Sequence, residues 1–130
     1  MLPASQFTTK FGKQAYVRDL VTRILSVTDI DTRGFKFKIG PSIPYPTACG
    51  RTAEIPSGIT LYQFAESLIH EVKHLDLNRT AHSTNMTCDE IEQEVRRFTA
   101  TVLWRVRDLL TVTERIEWDH YQAEIEALRR

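Results

Sequence analysis

Three short patterns divide the second half of this chain. Thr60 with Gln63, Thr87 with Glu90 and Thr111 with Glu114 each set a hydroxyl three residues ahead of a side chain that can reach back. This is the capping box, in which the hydroxyl and the acid or amide satisfy backbone N–H groups that a helix start leaves open. Each box precedes an apolar run at helical spacing, over about 61–77, 88–110 and 112–128. The spacing predicts three helices. A single bent helix over 88–128 is the alternative to a break at Thr111.

Ahead of these runs the chain changes character twice. Over residues 13–27, Val17, Leu20, Val21, Ile24 and Leu25 recur at helical spacing between polar residues. Asp31-Thr32-Arg33-Gly34 is turn chemistry. Phe35, Phe37 and Ile39 then alternate with Lys36 and Lys38, which reads as a half-buried strand. Residues 40–50 hold Gly40, Pro41, Pro44, Pro46 and Gly50 and read as a loop with at most short extended pieces. Arg51–Ile55 reads as a second strand, and its flanking prolines suit a sheet edge. A helix, two or three short strands and three helices make an α+β domain. At 130 residues there is room for one domain, 1–130.

Composition narrows the functional classes. Seventeen basic and seventeen acidic residues balance, where a dedicated nucleic-acid binder carries a basic excess, so no nucleic-acid partner is expected. No stretch approaches the ~20 apolar residues of a membrane span, and Met1–Phe7 lacks the apolar centre of a secretory signal. Cys49 and Cys88 are too few for a disulfide scaffold. A cytoplasmic protein is expected, with no membrane partner.

The first of the three predicted helices carries His70-Glu71-Val72-Lys73-His74. Histidines at i and i+4 stand one above the other on a helix, so both imidazoles can reach one metal ion. Glu71, about 100° around, can take the proton of an attacking water without binding the metal. This is the H-E-x-x-H pattern of zinc hydrolases. Leu61, Ala65, Leu68, Val72 and Leu75 form the apolar stripe, and both histidines fall nearly opposite it, beside Gln63, Glu66 and Ser67.

A catalytic zinc ion takes three protein ligands and keeps one position open. Leu77 and Thr80 stand where a metzincin would have glycine and a third histidine, so the third ligand must come from elsewhere. The next helix offers Asp89, Glu90, Glu92 and Glu94. Taking Ile91, Val95, Phe98, Val102, Val106 and Leu109 as its apolar face, Glu94 projects closest to its centre, while Glu92 and Asp89 project away. Glu94 is therefore the expected third ligand, with Glu90 in reserve, although Glu90 is also the capping-box acid. A salt bridge from Glu94 to Lys73, Arg97 or Arg105 is the structural alternative. Cys49 could cap the metal and hold the site latent, or be an inert thiol.

His70-Glu71-Val72-Lys73-His74-Leu75, followed by Glu92-Gln93-Glu94-Val95-Arg96-Arg97-Phe98-Thr99-Ala100-Thr101-Val102-Leu103, resembles the ImmA/IrrE family of gluzincin-type metallopeptidases. That family reads H-E-L-G-H and then E-x-E-A-N-x-F-A-A-x-L-L. The resemblance covers about residues 13–110, and places the family's ligand glutamate on Glu94. Lys73 replaces the family's glycine, and Val95-Arg96 its Ala-Asn pair. The lone domain is similar to the small domains called minigluzincins. The resemblance implies a minimal zincin-like fold, one zinc ion on His70, His74 and Glu94, and a hydrolase with Glu71 as the proton-transfer residue. The substrate implied is an extended protein or peptide segment, such as one of a regulatory protein, bound by strand addition along 51–55. Candidates for a second donor to the developing oxyanion are Tyr45, Tyr62, His82, His120 and Tyr121. Ile116, Trp118, Tyr121, Ile125 and Leu128 form a C-terminal strip that packs on the domain or serves a homodimer. The competing classes are a zincin-fold binding or regulatory module without catalysis, and a metal-free helical interaction protein.

Overall fold

The computed structural model describes residues 12–80 and 85–128. His82 and the Met1–Phe7 segment lie outside the described residues. Helix α1 (Gly12–Ser26) leads to strand β1 (Lys36–Gly40), a hairpin of β2 (Thr47–Cys49) and β3 (Thr52–Pro56), and helices α2 (Leu61–Arg79), α3 (Cys88–Arg107) and α4 (Val112–Leu128). The protein is α+β, and its described residues form four helices and one small open sheet. No described helix is long and apolar enough to cross a membrane.

All three capping boxes form. Gln63 N–H donates to Thr60 Oγ1 at 3.2 Å, and Thr60 N–H donates back to Gln63 Oε1 at 3.1 Å. Thr87 and Glu90 exchange the same bonds at 3.0 and 3.1 Å, and Thr111 and Glu114 at 2.8 and 3.2 Å. The chain therefore breaks before Thr111, and the single bent helix does not form. The break is clamped from both sides. Arg107 grips Asp119 through Nε at 2.8 Å and Nη2 at 2.6 Å, and Arg115 donates to the Arg107 and Asp108 carbonyls, each at 3.2 Å.

The sheet order is β1-β3-β2. β1 runs parallel to β3, with Ile39 opposite Ile55, and β2 runs antiparallel, with Ala48 opposite Ala53. This corrects the edge assignment of 51–55. Thr47-Ala48-Cys49, within the predicted loop, folds back over a two-residue turn in which Gly50 takes the left-handed φ of 61° that glycine adopts without a Cβ clash. β3 is thus paired on both sides. Pro56, which has no N–H to donate, sits harmlessly at the strand's end.

α2 lies at the centre of the molecule. The predicted stripe of Leu61, Ala65, Leu68, Val72 and Leu75 is buried, but so are Phe64, Ile69 and Leu77. The helix is covered by the sheet, α1, α3 and α4 together. Val17, Leu20 and Ile24 of α1, Ile55 of β3, Val102 and Val106 of α3 and Trp118 of α4 complete the core. Trp118 and Tyr121 turn inward from the predicted C-terminal strip, while Ile116 and Leu128 face solvent.

Candidate metal centre

Because α2 is wrapped by other elements, His70 and His74 do not stand on an open polar face. Both are half-buried under α3, with ring centroids 4.9 Å apart and planes tilted by 59°. The i, i+4 spacing stacks them as the sequence predicts.

The acid brought to this pair is Glu92. Its Oε1 lies 2.7 Å from His74 Nε2 and its Oε2 lies 3.6 Å from His70 Nε2. One ligand atom from each of His70, His74 and Glu92 falls within 4.8 Å of the others, the one such group among the described residues. Glu94, the expected third ligand, is outside it. Glu94 lines a separate shallow cavity with Lys73, Arg97 and Phe98, and Glu90 spends its carboxylate on the α3 cap.

The placement of Glu92 rather than Glu94 beside the histidines has a physical source. The buried residues of α3 are Val95, Thr99, Val102, Leu103 and Val106. At about 100° per residue, Glu92 lies about 35° from the centre of that face and Glu94 about 125° away. Ile91 and Phe98 are only half-buried and Leu109 is exposed, yet their hydrophobicity drew the predicted face towards Glu94. Phe98 instead supports the Lys73 ammonium, 4.6 Å from its ring centroid. The missed signal was Thr99, a buried polar residue whose hydroxyl donates to the Val95 carbonyl at 2.7 Å and so needs no water.

The surroundings suit ligation and proton transfer. Glu71 is 8% exposed, and burial, the largest influence, raises its pKa, with the nearby His74 opposing and Glu92 reinforcing. Burial and the neighbouring His74 lower the pKa of His70, which favours the neutral imidazole a metal needs. Arg96, at the mouth of the group, has its Nε 4.0 Å from Glu92 Oε2. Two imidazoles, a carboxylate and a separate buried acid are a donor set that fits zinc with one position left for solvent or substrate.

A cleft of about 710 Å³ opens beside His70 and Glu71 and runs between α2 and α3 towards α4. Pro46, just before β2, forms part of its wall. Of the expected oxyanion donors, Tyr62 lines this cleft, and Tyr121 meets Tyr62 with ring centroids 5.7 Å apart. Tyr45 is exposed, and His120 is an exposed partner of Glu124 at 3.1 Å. Arg96, absent from the expected set, lines the cleft as well. Cys49 and Cys88 are free and exposed, outside the ligand group, and neither is the buried thiol that an inert role favours.

No family model, curated protein or solved structure matches this chain.

Proposed function

We propose that the chain is a zinc-dependent endopeptidase of the cytoplasm that hydrolyses a peptide bond in an extended protein segment. The observation that carries this reading is the convergence of His70, His74 and Glu92 within 4.8 Å, with the buried Glu71 one residue along α2 from His70. Zinc bound to that trio would acidify a water at the open position and polarise the substrate carbonyl. Glu71 takes the proton of the attacking water, and its burial lifts its basicity towards what that step needs at neutral pH. The same carboxyl then returns the proton to the leaving amine. Arg96 is the cation set to face the negative charge that develops on the carbonyl oxygen.

Strand addition along 51–55 is closed, because β3 has partners on both sides. The outer edge of β2 is the one next to the cleft wall at Pro46, and it is the ladder an extended peptide would join. The exposed free thiols of Cys49 and Cys88 accord with a reducing compartment.

The test pairs metal analysis with a peptide-library digest. Protein purified without added metal is expected to hold about one zinc per chain and to cut peptides. Glu71→Gln is expected to keep the metal and lose cleavage. A metal-free wild-type protein would overturn the reading in favour of a plain His74–Glu92 hydrogen-bonded pair, which the 2.7 Å contact also satisfies.

A further inference from the structure

α2 and α3 are the arms of an antiparallel hairpin, and an i, i+4 row on each borders the cleft beside them. On α2 the row is His74, His70, Glu66 and Tyr62; on α3 it is Glu92, Arg96, Ala100 and Trp104. The 2.7 Å approach of His74 and Glu92 sets the first rung. Later residues of α3 then oppose earlier residues of α2. The cleft lies between these rows, and all of their members beyond the first rung line it.

The far end of the cleft is aromatic. Tyr62 meets Trp118 of α4 with centroids 4.7 Å apart and planes tilted by 59°. Trp118 is only 2% exposed, so this wall is fixed in the core. Trp104 stands on the opposite row with 72% of its surface open to solvent. Ala100, one turn before it, lines the cleft with only a methyl group. The cation at this end, Arg107, already holds the Asp119 carboxylate through two contacts, so an acidic side chain gains little there. A flat ring suits this end, because rings in tilted or offset contact gain beyond the area they bury.

The distance to the ligand group is set by the helix. Tyr62 and His70 are eight residues apart, which is about 12 Å at 1.5 Å per residue. An extended peptide covers that span in three or four residues at about 3.3 Å each. We propose that the Tyr62–Trp104–Trp118 end of the cleft anchors an aromatic side chain of an extended peptide, three or four residues from the segment that lies at His70 and Glu71. That this segment holds the bond to be cut rests on the endopeptidase reading; the anchor itself does not.

Dye-labelled Gly/Ser/Ala octapeptides carrying one phenylalanine, stepped through every position, test the two separately. Binding is read by fluorescence anisotropy on the full chain carrying Glu71→Gln. Phenylalanine peptides are expected to bind at least about tenfold more tightly than the same peptides with serine. Adding Trp104→Ala, an exposed position whose loss leaves the core intact, is expected to remove that advantage, and Val112→Ala, exposed on α4, to leave it unchanged. Cleavage by the zinc-loaded wild-type chain is read by mass spectrometry and is expected at a constant offset of three or four residues from the ring. Binding that depends on Trp104 without any cleavage would uphold the anchor and sink the endopeptidase reading. Equal binding of phenylalanine and serine peptides, an advantage that survives Trp104→Ala, or cleavage at no fixed offset would overturn the anchor.

Discussion

Glu92 and Glu94 are two residues apart, and the chemistry of the site turns on which one meets the histidines. Glu92 is 42% exposed at its side chain, so a carboxylate free to adjust stands against two half-buried imidazoles. Removing it leaves a two-histidine site, too poor to hold zinc firmly. Glu92→Ala is expected to lower zinc content well below one per chain, whereas Glu94→Ala leaves it near one; elemental analysis of the two variants decides between them. Glu71→Gln keeps the shape and hydrogen-bonding reach of the side chain but can no longer take a proton. It is expected to slow cleavage by about 10²- to 10⁴-fold with the metal retained. The pattern of α2 was legible down to the residue, because two histidines and a glutamate at fixed spacing leave little choice on a helix. The acid that meets the histidines, Glu92, was not. A helical wheel weighs hydrophobicity, and burial on α3 follows Thr99 and Leu103 more closely than it follows Ile91 or Leu109.

The helices begin where their hydroxyl caps stand, and the caps carry measurable weight. Thr60→Ala removes the hydroxyl that accepts from Gln63 N–H, leaving the bond from the residue-60 N–H to Gln63 Oε1, and is expected to cost about 1 kcal/mol in denaturant unfolding. Glu114 does more than cap α4. Its carboxylate accepts from Thr111 N–H at 2.8 Å, from Arg23 Nη1 and Nη2 at 2.8 and 3.0 Å, and from the Tyr16 hydroxyl. Burial alone would raise its pKa, but the Arg23 and Tyr16 bonds prevail and hold it at about 2, against an ordinary 4.5. The folded value lies below the unfolded one, so the stabilisation is complete above about pH 4.5 and disappears as pH falls towards 2. At about 1.4 kcal/mol per unit, the shift amounts to roughly 3 kcal/mol at neutral pH. Glu114→Gln is expected to lose about that much at pH 7 and to converge with wild type as the two are titrated below pH 3; chemical unfolding across that range checks it. The box at Thr111 was legible, since hydroxyl and acid are three residues apart. Its tie to α1 was not, since Tyr16 and Arg23 lie more than ninety residues away in the chain. The β2–β3 hairpin was hidden for another reason: a three-residue strand between prolines and a glycine carries no alternation to detect.

The molecule as a whole places its candidate ligands on the two arms of one helical hairpin, with α2 at its centre and open along one side to the cleft. An ion held there ties the arms together only in the folded state. At a free zinc concentration a hundred times its dissociation constant, this adds about 2.7 kcal/mol to the unfolding free energy. A chelator is therefore expected to lower the melting temperature of wild type by several degrees and to leave Glu92→Ala nearly unmoved; paired thermal scans with and without chelator read this directly. The α+β arrangement followed from patterns at short range, the caps and apolar periods of each run. How the elements enclose α2 depended on contacts between distant segments, which no local pattern records.

Glu114, Trp118 and Gln122 recur every four residues along α4, and the first is the acid bound to α1 while the other two close the end of the cleft. The heading of that wall is therefore governed by the Arg23–Glu114 ion pair one turn back along the same helix. Substitutions around Tyr16, Arg23 or Glu114 would re-aim the ring-lined end and change which peptides fit, while the histidine end keeps its working geometry. On the proposed reading, selectivity and hydrolytic chemistry would in this way be mechanically separable in a chain of 130 residues.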